Sequence, residues 1–87
     1  MECFIFNCQR AITDWYEKHM NGCRIDLEEV SPKFVNMACD CFYGMFYVDY
    51  YGDSLPFFCT QEKNNKQLSI KVYDSQERDS FTFDVDY

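Results

Sequence analysis

The first third of the chain carries a helical rhythm. Ile5, Cys8, Ile12 and Trp15 recur at three- and four-residue steps, His19 completes the series, and Phe4, Ala11 and Tyr16 widen the stripe. Asn7, Arg10, Asp14, Glu17 and Asn21 take the opposite side. This amphipathic spacing predicts a helix over residues 3–20. Glu2 suits the positive N-terminal end of such a helix and Lys18 the negative C-terminal end. Gly22 suits the left-handed residue that stops it.

Residues 23–31, CRIDLEEVS, read as a connector holding either a short strand or a turn of helix opened by Asp26. Ser31-Pro32 then resembles a helix start, a capping hydroxyl followed by proline at the first helical position. Phe34, Ala38, Cys41, Met45 and Val48 keep helical spacing beyond it, while Gly44 is a plausible stop and MFYVDYY is rich in strand formers. These signals predict a second helix at 32–43 and a strand at 45–51, the alternative being one helix reaching to about 49.

The second half alternates. KNNK, residues 63–66, suits a two-residue hairpin turn, because asparagine tolerates positive φ. Strands at 57–62 and 67–73 then pair with Cys59 facing Ile70, Phe57 facing Val72 and Phe58 opposite Lys71. Apolar residues meet on one side, which supports that register. DSQERD, residues 74–79, is a polar turn, and a last strand at 80–86 points Phe81, Phe83 and Val85 one way and Thr82, Asp84 and Asp86 the other. Pairing Asp74 with Asp79 sets Val72 opposite Phe81 and Ile70 opposite Phe83, so both hairpins choose the same inner side. The predicted fold is a single α+β domain over residues 1–87, two N-terminal helices packed on one face of a three- or four-stranded antiparallel meander.

That architecture divides the densest aromatic segment, residues 41–59, which holds eight aromatic side chains, two aspartates and no base. Phe46, Val48 and Tyr50 are expected to face the core with Phe57 and Cys59. Tyr47, Asp49 and Tyr51 face outward, joined on the open side by Phe58, Tyr73, Asp84 and Asp86. Tyrosine and phenylalanine are favoured anchors at interfaces, and acids around them select a basic partner. The candidate partner-binding residues are therefore Tyr47, Asp49, Tyr51, Phe58, Asp84 and Asp86.

Charge sharpens that picture. The net charge is −7, which repels phosphates and anionic lipid and speeds association with basic proteins. From Phe34 to Glu62 there are four acids and no Lys or Arg. Carboxylates at alternate strand positions stand roughly 6.6 Å apart, a spacing that imitates successive phosphates of nucleic acid. Direct nucleic-acid binding is disfavoured, because the outward side has aromatics without a basic groove.

Other chemistries find little support. The apolar run from Ala38 to Tyr51 is interrupted by Asp40 and Asp49, whereas a membrane-spanning helix needs ~20 mostly apolar residues. The start lacks the basic region of a secretory signal, so the chain is expected to stay cytoplasmic with its six cysteines reduced and mostly packed as small apolar residues. His19 and Cys23 have H-x3-C spacing near Cys39 and Cys41, but no C-x2-C knuckle exists and no metal or cofactor is expected. The single histidine, three isolated glycines and absence of nucleophile or paired-carboxylate motifs predict a non-enzyme.

In size, acidity and lack of active-site motifs the chain resembles, as a class, small phage-encoded inhibitors of host defence such as anti-CRISPR and anti-restriction proteins. The resemblance implies a DNA-mimicking or blocking inhibitor of a nucleic-acid-handling protein. The alternatives are an antitoxin or immunity protein neutralising a basic toxin, a cysteine-based metal or redox module, and a subunit whose aromatic side closes a homodimer.

Overall fold

The computed structural model describes residues 2–20, 22–50, 53–73 and 78–85. Helix α1 spans Glu2–His19, with Glu2 in its first turn and Lys18 and His19 in its last. It ends as its sequence predicts. Gly22 has φ +76°, and its N–H donates to Glu17 O at 3.0 Å, closing the left-handed C-terminal cap. The connector forms one 3-10 turn, Leu27–Glu29, preceded by Asp26, whose N–H donates to the Glu29 carboxylate at 3.5 Å.

The second predicted helix does not form. Residues 32–43 instead contribute to strand β1, Val30–Ala38, and strand β2, Cys41–Tyr50, which pair antiparallel from Val30 opposite Val48 to Ala38 opposite Cys41. Pro32 therefore opens no helix; it sits in a strand at the border of the sheet, where its missing N–H breaks no ladder. The register shifts between Pro32 and Phe34, a bulge that changes which side each residue faces. Cys39 and Asp40 make the turn with φ 50° and 61°, the positive values that a two-residue hairpin of this hand requires. Gly44 is likewise no helix stop but an interior residue of β2.

Strands β3, Asp53–Glu62, β4, Gln67–Tyr73, and β5, Arg78–Asp84, complete a five-stranded antiparallel meander in the order β1-β2-β3-β4-β5. The chain is thus α+β, with one N-terminal helix rather than two and five strands rather than three or four. The β3–β4 register is the expected one, with Phe57 opposite Val72, Phe58 opposite Lys71 and Cys59 opposite Ile70. The turn, however, is not the expected two-residue hairpin: neither Asn64 nor Asn65 has positive φ, and Asn65 N–H donates to Glu62 O at 3.0 Å in a four-residue connection. The β4–β5 register differs by two residues. Phe81 faces Ile70 and Phe83 faces Leu68, while Val72 faces Asp79. A shift of two preserves every side chain's side of the sheet, so the inner set of β5 is unchanged.

Helix α1 lies across one sheet face and buries Phe4, Cys8, Ala11, Ile12 and Tyr16. Opposite them the strands bury Val30, Phe46, Val48, Phe57, Cys59, Leu68, Ile70 and Val72, and Val85 joins them just past β5. Each large side chain of this set contributes about 1.5–3 kcal/mol by leaving water. Phe4 stacks on Phe42 with centroids 5.6 Å apart, and Trp15 meets Phe57 edge-on at 5.4 Å, so aromatic contacts pin both ends of the helix. The Gln9 amide donates to Val30 O at 3.2 Å and ties the helix to β1. His19, read as the end of the apolar stripe, is exposed and stacks on Trp15 at 4.7 Å.

Candidate interaction face

The sheet face away from α1 is covered by no other element among the described residues. Side chains alternate along each strand, so its membership follows from register. One row runs Phe34, Met45, Phe58, Lys71 and Ser80 across all five strands. The next runs Asn36, Tyr43, Thr60, Ser69 and Thr82. On the other side of the first row Ser31, Tyr47 and Pro56 are neighbours.

The apolar members gather on β1, β2 and β3. Phe34 keeps 48% of its surface exposed and meets Tyr43 edge-on at 6.4 Å. Met45, Tyr47, Pro56 and Phe58 are half-buried beside it. Toward β4 and β5 the face turns polar. Thr60, Ser69, Lys71, Ser80 and Thr82 line a shallow groove whose wall is Phe58. An aromatic patch therefore grades into a hydroxyl-rich strip within one continuous sheet surface.

Of the predicted binding residues, Tyr47 and Phe58 stand together in the patch. Asp49 and Asp84 also lie on this face, but the structure does not bring them together. Asp49 sits at one end of β2 opposite Ser54, whose hydroxyl donates to its carboxylate. Asp84 pairs with Gln67 at the far end of the sheet. Eight residue steps along β2 separate the row of Asp49 from that of Cys41 and Glu62, about 27 Å along the strand. Tyr51 and Asp86 lie outside the described residues, as does the side chain of Tyr50.

Besides Lys71, which the sequence already sets opposite Phe58, the face holds two further cations. The Lys33 ammonium lies 5.5 Å over the Tyr47 ring, and the Arg78 guanidinium 5.7 Å over Tyr73. Lys71 stands between Phe58 and Ser80. Acids mark the two ends of the face, Lys71 stands in its middle, and Lys33 and Arg78 lie on its two border strands. Phe34, Tyr43 and Met45 are the patch residues that the sequence reading left out. Met45 and Tyr43 share the parity of Tyr47 and follow from running the β2 alternation back toward its start. Phe34 carries no such signal, because the spacing of its segment predicts a helix.

Nothing here is arranged for metal. Among the described residues no group of three His, Cys, Asp or Glu side chains stands close enough to hold an ion. The six thiols are free. Cys8 and Cys59 touch across the helix-sheet interface; burial pushes the Cys8 thiol well above its ordinary pKa, and the adjacent Cys59 adds to the shift. A thiol so held is unreactive packing material rather than a nucleophile. No described helix is long and apolar enough to cross a membrane. Comparison with known proteins adds no assignment: no family model, curated protein or solved structure matches the chain.

Proposed function

We propose that the chain is a non-enzymatic binding protein that docks its open sheet face on a basic partner and inhibits it. The observation that carries this reading is the patch of Phe34, Tyr43, Met45, Tyr47 and Phe58, apolar and aromatic, on an uncovered sheet face of a chain with net charge −7. Rigid aromatic side chains on a sheet supply contact area at small entropic cost, the property of interface anchors. The overall field draws in a positively charged protein. With cations lying over Tyr47 and Tyr73, the patch contributes packing and hydrogen bonds rather than negative charge. The partner's bases then meet Asp49, Glu62 and Asp84 at the ends of the face. A nucleic-acid-handling enzyme or effector is the partner class whose exposed Lys and Arg clusters fit such a field. Inhibition then consists of covering its phosphate-binding surface.

The test is affinity capture from host lysate at low and high salt with the wild-type chain, Tyr47→Ala/Phe58→Ala and Asp49→Lys, bound proteins being identified by mass spectrometry. The expected result is a basic nucleic-acid enzyme held by the wild type. Its affinity falls about tenfold or more in the aromatic variant. It binds more slowly, with weaker salt dependence, in Asp49→Lys. A partner held equally by all three chains overturns the assignment of this face.

A further inference from the structure

The sheet has two borders, and they differ. The β1 border is blunted by Pro32, which lacks an N–H, and by the bulge that follows it. β5 has neither device: its pairing with β4 runs unbroken from Gln67 opposite Asp84 to Tyr73 opposite Arg78. Val85 N–H donates to Lys66 O at 2.8 Å, so odd-numbered residues of this strand turn their backbone toward β4. Arg78, Ser80, Thr82 and Asp84 consequently present N–H and C=O groups to a side that no other strand among the described residues occupies. Ser80 N–H is held there by the neighbouring Asp79 carboxylate at 2.9 Å, a local substitute for a strand partner.

We infer that this border is a docking site for a second copy of the same chain. β5 pairs antiparallel with β5 of the second copy about a twofold axis through Phe81, extending the sheet across the axis. The segment RDSFTFD, residues 78–84, is complementary to itself in that register. Arg78 of each copy faces Asp84 of the other, and Ser80 faces Thr82. All four are border-facing residues, so each pair exchanges both backbone hydrogen bonds. A one-residue slip sets border-facing residues against inward-facing ones, and a two-residue slip separates Arg78 from Asp84. On the helix side Phe81 meets its own mate, at a non-hydrogen-bonded position where side chains approach most closely. Asp79 faces Phe83 of the second copy, and the Arg10 guanidinium lies 5.7 Å over the Phe83 ring. Both acids of the strand thus find a base across the axis. The opposing effect is repulsion between two chains of net charge −7, which physiological salt screens beyond about 8 Å. The aromatic patch, Asp49 and Glu62 remain uncovered in this dimer; Asp84 alone is shared with the proposed partner surface, so the inference is tested separately through Arg78 and the patch variants.

Sedimentation equilibrium from about 10 μM to about 1 mM at physiological salt tests it. The expected result is a rise from monomer to dimer mass, with amide exchange at Ser80 and Thr82 slowing as concentration rises. Trp15, the one tryptophan, lies 6.2 Å from Phe81, so its emission follows the same isotherm. Arg78→Glu, and independently Asp84→Arg, raise the dimer Kd about tenfold or more, while Arg78→Asp/Asp84→Arg restores it. Circular dichroism verifies that each variant is folded. A monomer at every concentration overturns the inference. So does a dimer indifferent to Arg78→Glu, a folded double variant that fails to restore pairing, or a dimer lost with Tyr47→Ala/Phe58→Ala instead.

Discussion

At Gly44 the first hairpin comes closest to itself. A Cβ there would stand 2.8 Å from the Phe34 carbonyl oxygen, 3.2 Å from Val35 Cγ2 and 3.3 Å from the Phe46 ring. The bulge after Pro32 places that carbonyl where it is, and backbone cannot step aside as a flexible side chain can. Gly44→Ala is therefore expected to lower stability by about 1–3 kcal/mol in denaturant unfolding, as overpacking does. An unchanged midpoint would show that the two strands separate freely. The residue's importance was visible in the sequence, but its role was not. A glycine between aromatic residues reads equally as a helix stop or as a site of close backbone approach. Only the presence of β1 above it separates the two.

The elements differ in how openly they declare themselves. Helix α1 was legible because an apolar stripe at helical spacing ends in a capping glycine. Its stripe is rotated slightly from the expected one, with Tyr16 buried and His19 exposed. β1 was hidden for a physical reason. Its bulge breaks the two-residue alternation, so Val30 and Pro32 face the helix side before it and Val35 and Met37 after it. The spacing of Phe34, Ala38, Cys41, Met45 and Val48, which in fact runs over two strands and a turn, imitates a helix. The turn concealed itself too, since Cys39-Asp40 stands where Asn-Gly would have announced a hairpin. Both residues hold positive φ, 50° and 61°, at an energetic cost. Replacing them by Cys39→Asn/Asp40→Gly is expected to stabilise the protein by about 1 kcal/mol in thermal or denaturant melts. A loss of stability would show that their side chains make contacts worth more than the backbone relief.

For the whole molecule, the meeting of its two layers can be read through its thiols. Cys8 comes from α1 and Cys59 from β3, and both are fully buried where helix and sheet meet. Cys3 and Cys39 are exposed. Alkylation is expected to modify Cys3 and Cys39 at once. Cys8 and Cys59 react at one common slow rate set by global opening, because α1 cannot lift without uncovering both. Separate rates for that pair would mean that helix and sheet open independently. At this scale the charge distribution also departs from the sequence reading. Asp49 and Glu62, close together in the count along residues 34–62, stand at opposite ends of the face, and Lys33 and Arg78 arrive on its two border strands to join Lys71.

The sequence alone determined what depends on local period and adjacent strands. It specified the helix over the first turns, its glycine cap, the β3–β4 register, the side of the sheet that each residue of β4 and β5 faces, and an open face bearing Tyr47 and Phe58. These follow from repeats of 3.6 and 2 residues and from the matching of apolar positions across β3 and β4, which holds although the turn itself differs from the expected one. Tertiary structure decided the rest. Residues 30–38 become a strand because β2 offers them a ladder, a long-range partner that a bulged and proline-containing segment does not advertise. The β4–β5 register was open to a slip of two, since such a slip leaves the apolar pattern unchanged; the observed pairing sets Phe81 and Phe83 against Ile70 and Leu68. Which charges share a neighbourhood was likewise beyond a linear reading, because it is the order of strands, not the order of residues, that places Arg78 and Asp84 at opposite ends of one free border.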